Sequence, residues 1–244
     1  MEVHAHTHTP RKKWTHYFWE FLMLFLAVTL GFLVENQREH WIEQRREKQF
    51  IRSFIEDLKK DTLSLRPYLR RREGVLNRVD SLVILLESGK YKEMGSETYE
   101  YARRNARPIF INTDGTMQQL KNSGSLRLIR KQYVVDSIMS YDSDVKFLQN
   151  QNEKDYDQQK TFKDLAGEIF DVKVFSRIID DNFSSTKPAG NPQLITNDPV
   201  LINKLAVLAH YHSHQLLTDL KLGRNLKLKA VRLIIFLKKE YHLK

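Results

Sequence analysis

Residues 134–169, VVDSIMSYDSDVKFLQNQNEKDYDQQKTFKDLAGEI, place Val134, Ile138, Tyr141, Val145, Leu148, Asn152, Asp155, Gln159, Phe162, Leu165 and Ile169 at separations that alternate between four and three almost without exception. That period belongs to a helix packed at a shallow angle against a partner, as in helical bundles and coiled coils. Its middle positions, Asn152, Asp155 and Gln159, are polar, so either the helix breaks near Asn152 or a polar layer lies inside the bundle. The C-terminal segment carries a second stripe of this kind. Asp198 followed by Pro199 is a strong helix start. After it come Leu201, Leu205, Leu208 and His212, then Leu226, Ala230, Leu233 and Leu237 beyond Gly223. Lys187-Pro188, Gly190-Asn191-Pro192 and Asn197-Asp198-Pro199 make 173–198 an irregular crossover between the two. If helices 131–172 and 199–241 pair antiparallel with residue 172 opposite 199, His212 falls near Gln159 and His214 near Asp157.

Upstream, Val75, Val79, Leu82 and Leu86 form another stripe, and Gly89 supplies a left-handed helix cap. Pro67 is expected to end or kink the helix before it. Residues 90–112 read as a connector with one short helix, for which Ser96 is the expected N-cap. The fold class is therefore all-α, an antiparallel helical bundle. Nine Gly and six Pro in 244 residues leave too few turn residues for an all-β design. The absence of Cys removes any disulfide or cysteine-metal framework and is compatible with an oxidising compartment.

Ahead of the bundle, Phe21 to Val34 reads FLMLFLAVTLGFLV, and extension back to Tyr17 adds a single carboxylate, Glu20. Fourteen residues are short for a bilayer, so the flanks decide. Trp14, Tyr17 and Trp19 stand at one end and Trp41 at the other. Trp14 to Trp41 is 27 helical steps, about 40 Å at 1.5 Å each, close to the headgroup-to-headgroup thickness. These four aromatics are the expected interfacial anchors. A cleaved signal peptide is the rival, with Arg11, Lys12 and Lys13 as its basic region and Thr29-Leu30-Gly31 as its small residues. It lacks an A-x-A site, and the chain runs past Gly31 into further helix without a turn signal. A soluble core helix would carry a polar stripe, which this run lacks. The expected organisation is a basic, His-containing tail at 1–16, a transmembrane helix at 17–34, a helical stalk at 35–60 and a bundle domain at 61–244. Along the stalk, Ile51, Ile55 and Leu58 mark where a partner helix begins to pack. Three basic residues directly before the span favour an inside N-terminus, hence a bacterial inner-membrane protein with its bundle in the periplasm.

Two stretches resemble a family of uncharacterised single-pass membrane proteins common in Bacteroidetes. One is the apolar helix with its charged continuation, FWEFLMLFLAVTLGFLVENQREHWIEQ. The other is Thr116-Met117-Gln118-Gln119-Leu120-Lys121-Asn122-Ser123-Gly124-Ser125-Leu126-Arg127-Leu128-Ile129, which looks like that family's short helix, glycine turn and S-G-x-L-R-L-I segment. The resemblance implies an α-helical domain behind one span and carries no activity and no site residues. Physically, Gly124 permits a positive φ, and Leu126, Leu128 and Ile129 can lock the turn onto the core.

Chemistry-bearing patterns are sparse. His210 and His214 share a helix face at i,i+4, a spacing able to chelate a metal, whereas His212 points onto the seam. His4, His6 and His8 belong to a solvated tail. Asp142/Asp144 and Asp155/Asp157 stand at i,i+2, about 200° apart on a helix, and do not converge. Ser143-x-x-Lys146 lacks the companion motifs of the acylating enzymes. Phosphate-binding glycine loops, zinc-protease and nucleophile-elbow motifs are absent. No catalysis and no cofactor are expected. The net charge of +10 is concentrated after residue 200, where nine basic residues face two acidic ones. Lys227, Arg232, Lys238 and Lys239 belong to this basic face, which suits anionic lipid or an acidic partner. Nucleic acid is not expected, because no recognised binding signature accompanies the charge. The expected function is contact with itself or with another membrane protein. The alternative is a sensor-like module with a small ligand or metal among Asn152, Asp155, Gln159 and His212.

Overall fold

A computed structural model of the chain describes residues 14–105, 108–179 and 185–243, with every side chain in them except those at 155, 157 and 158. The N-terminal tail with His4, His6, His8 and Arg11 to Lys13, and the side chains of Asp155 and Asp157, lie outside the described residues. The fold is all-α, with no strand among the described residues: α1 (Trp14–Glu87), α2 (Gly95–Arg103), α3 (Gly115–Asn122), α4 (Gln132–Ile169), the single turn α5 (Val172–Phe175) and α6 (Pro199–Glu240). The chain divides into two compact units, Met1–Phe50 and Ile51–Lys244.

In the first unit α1 holds the one stretch among the described residues that is long and apolar enough to cross a membrane, and none of it is buried. Trp14, Tyr17, Trp19 and Trp41 are all exposed. Thr29 donates its hydroxyl to the Phe25 carbonyl at 2.8 Å, which keeps that polar atom paired within an apolar surface.

The second unit is built on the antiparallel pair α4 and α6. Lys131 meets Glu240 at 2.8 Å, Lys229 reaches Ser140 at 2.8 Å, and Gln215 reaches Gln151 at 3.4 Å, so the register follows the pairing of 172 with 199. The seam residues Val134, Ile138, Tyr141, Val145, Leu148, Asn152, Gln159, Phe162 and Ile169 are buried, and α4 does not break at Asn152. On α6 the buried line runs through Ile202, Leu205, Ala209, His212 and Leu216, while Leu201 and Leu208 are only half-buried. Asp198 caps α6 by accepting from Val200 N–H at 2.8 Å.

Helix α1 packs on this pair through Ile51, Ile55, Leu58, Val75, Val79, Leu82 and Leu86, all buried, and ends at Gly89 with φ 74°. Pro67 does not end it, in contrast to the sequence expectation. The proline is exposed, and so is Leu63, the residue whose carbonyl a proline at 67 leaves without its usual N–H partner. Buried Leu65 and Tyr68 hold the helix on either side of the ring. Ser96 is not an N-cap either. Helix α2 begins two residues earlier than that cap would give, at Gly95 with Met94 as cap, and the Ser96 hydroxyl donates to the Pro188 carbonyl instead. Gly95 lies so close to the crossover that a Cβ there would sit 2.0 Å from the Pro192 oxygen. Gly124 has φ 65°, with Ile129 buried and Leu126 and Leu128 half-buried behind it.

Candidate functional site

Two polar assemblies stand out in the second unit. The first is a buried layer joining three helices. Arg72 of α1 and Asp219 of α6 are both fully buried and pair at 2.7 Å. Arg72 also donates to Asn152 Oδ1 of α4, which accepts from the Tyr68 hydroxyl at 3.3 Å. The guanidinium lies 5.4 Å from the Tyr68 ring centre. Gln215 donates to Asp219 Oδ1 at 3.1 Å. Burial pushes the Tyr68 phenol up to about 12, so it stays a proton donor. Gly223 admits this packing, since a Cβ there would lie 2.9 Å from Leu69 and 3.1 Å from the Tyr68 ring.

Sequence reasoning located Asn152 but not Arg72 or Asp219. The signal was present. Leu65, Tyr68, Arg72, Val75 and Val79 continue a 3-4 stripe, and so do Leu216, Asp219, Gly223 and Leu226. Arg72 was hidden within the run Arg70-Arg71-Arg72. Asn152 is thus committed to a protein cation. His212 is buried beside the same seam. His210 and His214 are exposed with ring centres 4.5 Å apart, and His214 Nδ1 lies 3.2 Å from the His210 carbonyl. Among the described residues no group of three His, Asp or Glu could hold a metal. Asp142 turns to Lys121 and Asp144 to Lys229, so that carboxylate pair diverges.

A smaller polar cluster anchors α3. Asp57 accepts from Thr116 N–H at 3.0 Å, placing a carboxylate at the α3 N-terminus, and Asp61 accepts from Thr113 N–H at 2.6 Å and the Tyr141 hydroxyl at 2.8 Å. Burial raises the Asp61 pKa despite these donors.

The second assembly is an open cavity of about 1160 Å³ between α1, α2, α4 and α5. Val75, Phe162, Ala166, Phe170 and Phe175 form its apolar floor. Arg70, Arg71, Arg78, Arg103, Arg104 and Lys163 line it as well, and no Asp or Glu is in the described lining. Arg104 pairs with Glu100 at 2.6 Å, and Arg103 stacks 5.6 Å from the Phe175 ring centre. Burial and the neighbouring Arg104 charge hold the Arg78 pKa below its ordinary value. Gln159 also lines the cavity, whereas Asn152 and His212 do not. Gln159 Nε2 and Asn105 Oδ1 are buried at its wall with no hydrogen-bond partner among the described residues. An unsatisfied buried amide atom costs about 1–3 kcal/mol.

The basic face of α6 is divided. Leu226, Ala230, Leu233 and Leu237 are buried, so the apolar stripe belongs to the core and is not available to a lipid surface. Arg232 and Lys239 are exposed, and Lys227 and Lys238 are half-buried. Comparison of the chain with protein-family models, with curated proteins and with solved structures gives no match.

Proposed function

We propose that the chain is a single-pass bacterial inner-membrane protein whose helical bundle, on the periplasmic side, works by binding other proteins and performs no chemical step. The observation that carries the reading is the outer face of α6. Leu217, Leu228, Val231 and Ile235 are exposed, and with Lys221 and Arg224 they stand at 217, 221, 224, 228, 231 and 235, the 3-4 period of a second packing seam. Scattered apolar residues on a surface need no explanation, but a periodic row does. Lys221 and Arg224 stand second and third in the row, so full antiparallel pairing of identical helices would set them against Val231 and Leu228 with no carboxylate across the seam, which disfavours self-association through this face. A partner helix with acidic residues at the corresponding positions fits. The membrane part of the reading is supported by the unburied apolar stretch and its exposed Trp14, Tyr17, Trp19 and Trp41.

The test combines fractionation with protease protection and photocrosslinking from position 231 in cells. The full-length chain is expected in the membrane fraction, extracted only by detergent, with its bundle digested when protease is added to spheroplasts. Crosslinks from position 231 are expected to a different protein and to disappear in Leu228→Asp/Ile235→Asp. Recovery of full-length chain without detergent, or a mature form beginning beyond Gly31, overturns the anchor. Crosslinks only between copies of this chain overturn the hetero-partner.

A further inference from the structure

We propose that the arginine-lined cavity is a binding site for a small amphipathic anion, an acid headgroup such as a phosphate monoester carried on an apolar body. The inference does not depend on the membrane anchor or on the α6 face.

Three features of the cavity carry it. Six cationic side chains line it, no carboxylate does among the described residues, and Glu100 outside the lining pairs with Arg104. An anion is the missing counter-charge, and guanidinium forks match phosphate and carboxylate oxygens. The cavity wall also holds two buried amide atoms without partners among the described residues, an NH2 donor on Gln159 and an oxygen on Asn105. A phosphate monoester carries both acceptors for the first and, in its singly protonated form, a hydroxyl for the second. Beneath the charge, Phe162, Phe170 and Phe175 with Val75 and Ala166 offer an apolar bed, which inorganic phosphate would leave unused.

The space itself is kept open by composition. Gly74 of α1 and Gly167 of α4 both line the cavity, and both lie inside helices without positive φ. A Cβ at Gly167 would meet nothing within 4 Å, and one at Gly74 would meet only the Arg78 guanidinium at 3.5 Å. Neither glycine is required by backbone conformation or by close helix contact, unlike Gly95 and Gly223. What both avoid is a side chain in the cavity.

The experiment is calorimetric titration of the full-length chain in phosphatidylcholine nanodiscs, with empty discs as blank, using octyl phosphate, octanoate, octanol and inorganic phosphate. Saturable one-to-one binding is expected for octyl phosphate and octanoate, at least tenfold weaker binding for inorganic phosphate, and none for octanol. Gly167→Leu, whose Cβ meets nothing within 4 Å, should abolish binding without lowering the melting temperature. Arg70→Gln/Arg71→Gln should weaken octyl phosphate at least tenfold, and Gln159→Leu should weaken it severalfold. Repeating the titration in discs containing phosphatidylglycerol separates the sources: retained binding assigns the site to a free molecule, lost binding to a bilayer lipid, and either upholds it. Absence of saturable binding by both acids overturns the proposal. So does equal affinity for inorganic phosphate, or binding that survives in a folded Gly167→Leu chain.

Discussion

Arg72 and Arg78 stand less than two turns apart on the same helix and are treated in opposite ways. Arg72 is fully buried, and its charge is answered by Asp219 at 2.7 Å, by Asn152 and by the Tyr68 ring. Arg78 is half-buried at the cavity, where it donates to the Arg104 carbonyl at 3.4 Å and feels a like charge beside it. A cation sealed in a core must find its whole coordination within the protein, because water cannot supply it. A cation at an open wall can leave part of its capacity unused. The first arrangement specifies structure, and the second leaves chemistry available to something else.

The comparison breaks most visibly at Asp219. Asp219→Ala strands the Arg72 charge and should lower unfolding free energy by about 3–5 kcal/mol, whereas Arg72→Met/Asp219→Leu should recover that loss or exceed wild type. Chemical denaturation of the full-length chain followed by circular dichroism measures both. Equal destabilisation by the single and double variants would mean that Arg72 is not held by this pair.

Two glycines sharpen the contrast at smaller amplitude. Gly223→Ala crowds Leu69 and Tyr68 and should cost about 1–3 kcal/mol from overpacking, partly offset by about 1 kcal/mol of helix propensity. Gly167→Ala meets open space and should stabilise by about 0.4–1 kcal/mol. A loss of stability at Gly167 would mean that the cavity wall is packed.

The Asp61 cluster tests a closed site by pH. Folding raises the Asp61 pKa, so the native chain binds that proton more tightly than the unfolded one. Its contribution to stability therefore grows as pH falls through the raised value, is complete below the ordinary value near 3.8, and is lost as pH rises. Stability of wild type minus that of Asp61→Asn should follow this sign, with a slope no steeper than about 1.4 kcal/mol per pH unit. The opposite slope would mean that the donors from Thr113 and Tyr141 outweigh burial. Smallest of all, Arg70→Gln and Arg71→Gln should each shift stability by no more than about 0.5 kcal/mol, since both belong to the open wall.

The α4 seam, its antiparallel register with α6 and the Gly89 and Gly124 turns were legible because each rests on local spacing or on a backbone conformation that few residues adopt. The polar interruption at Asn152 was legible as a choice between a break and a buried layer, and the cation that decides it lies 80 residues away. That the helix runs on through Pro67 was not legible, because whether a proline ends a helix depends on which side of it faces water. Ser96 misled because its hydroxyl found Pro188, 92 residues away. The cavity left almost no linear trace. Its arginines come from α1, α2 and the residue after α2, its phenylalanines from α4, α5 and the short link between them, and its two glycines look like ordinary helix defects until their surroundings are known.

The Arg72 layer also bears on how the molecule is made. During translation α1 leaves the ribosome before α6, with Arg72 exposed, and Asp219 follows it by 147 residues. Until then the guanidinium stays hydrated and the nascent helix has nowhere to seat it. Closure of the bundle is thus deferred until α6 has been made, which leaves the Arg72 part of α1 waiting as an unsealed amphipathic rod while α2 to α5 are synthesised.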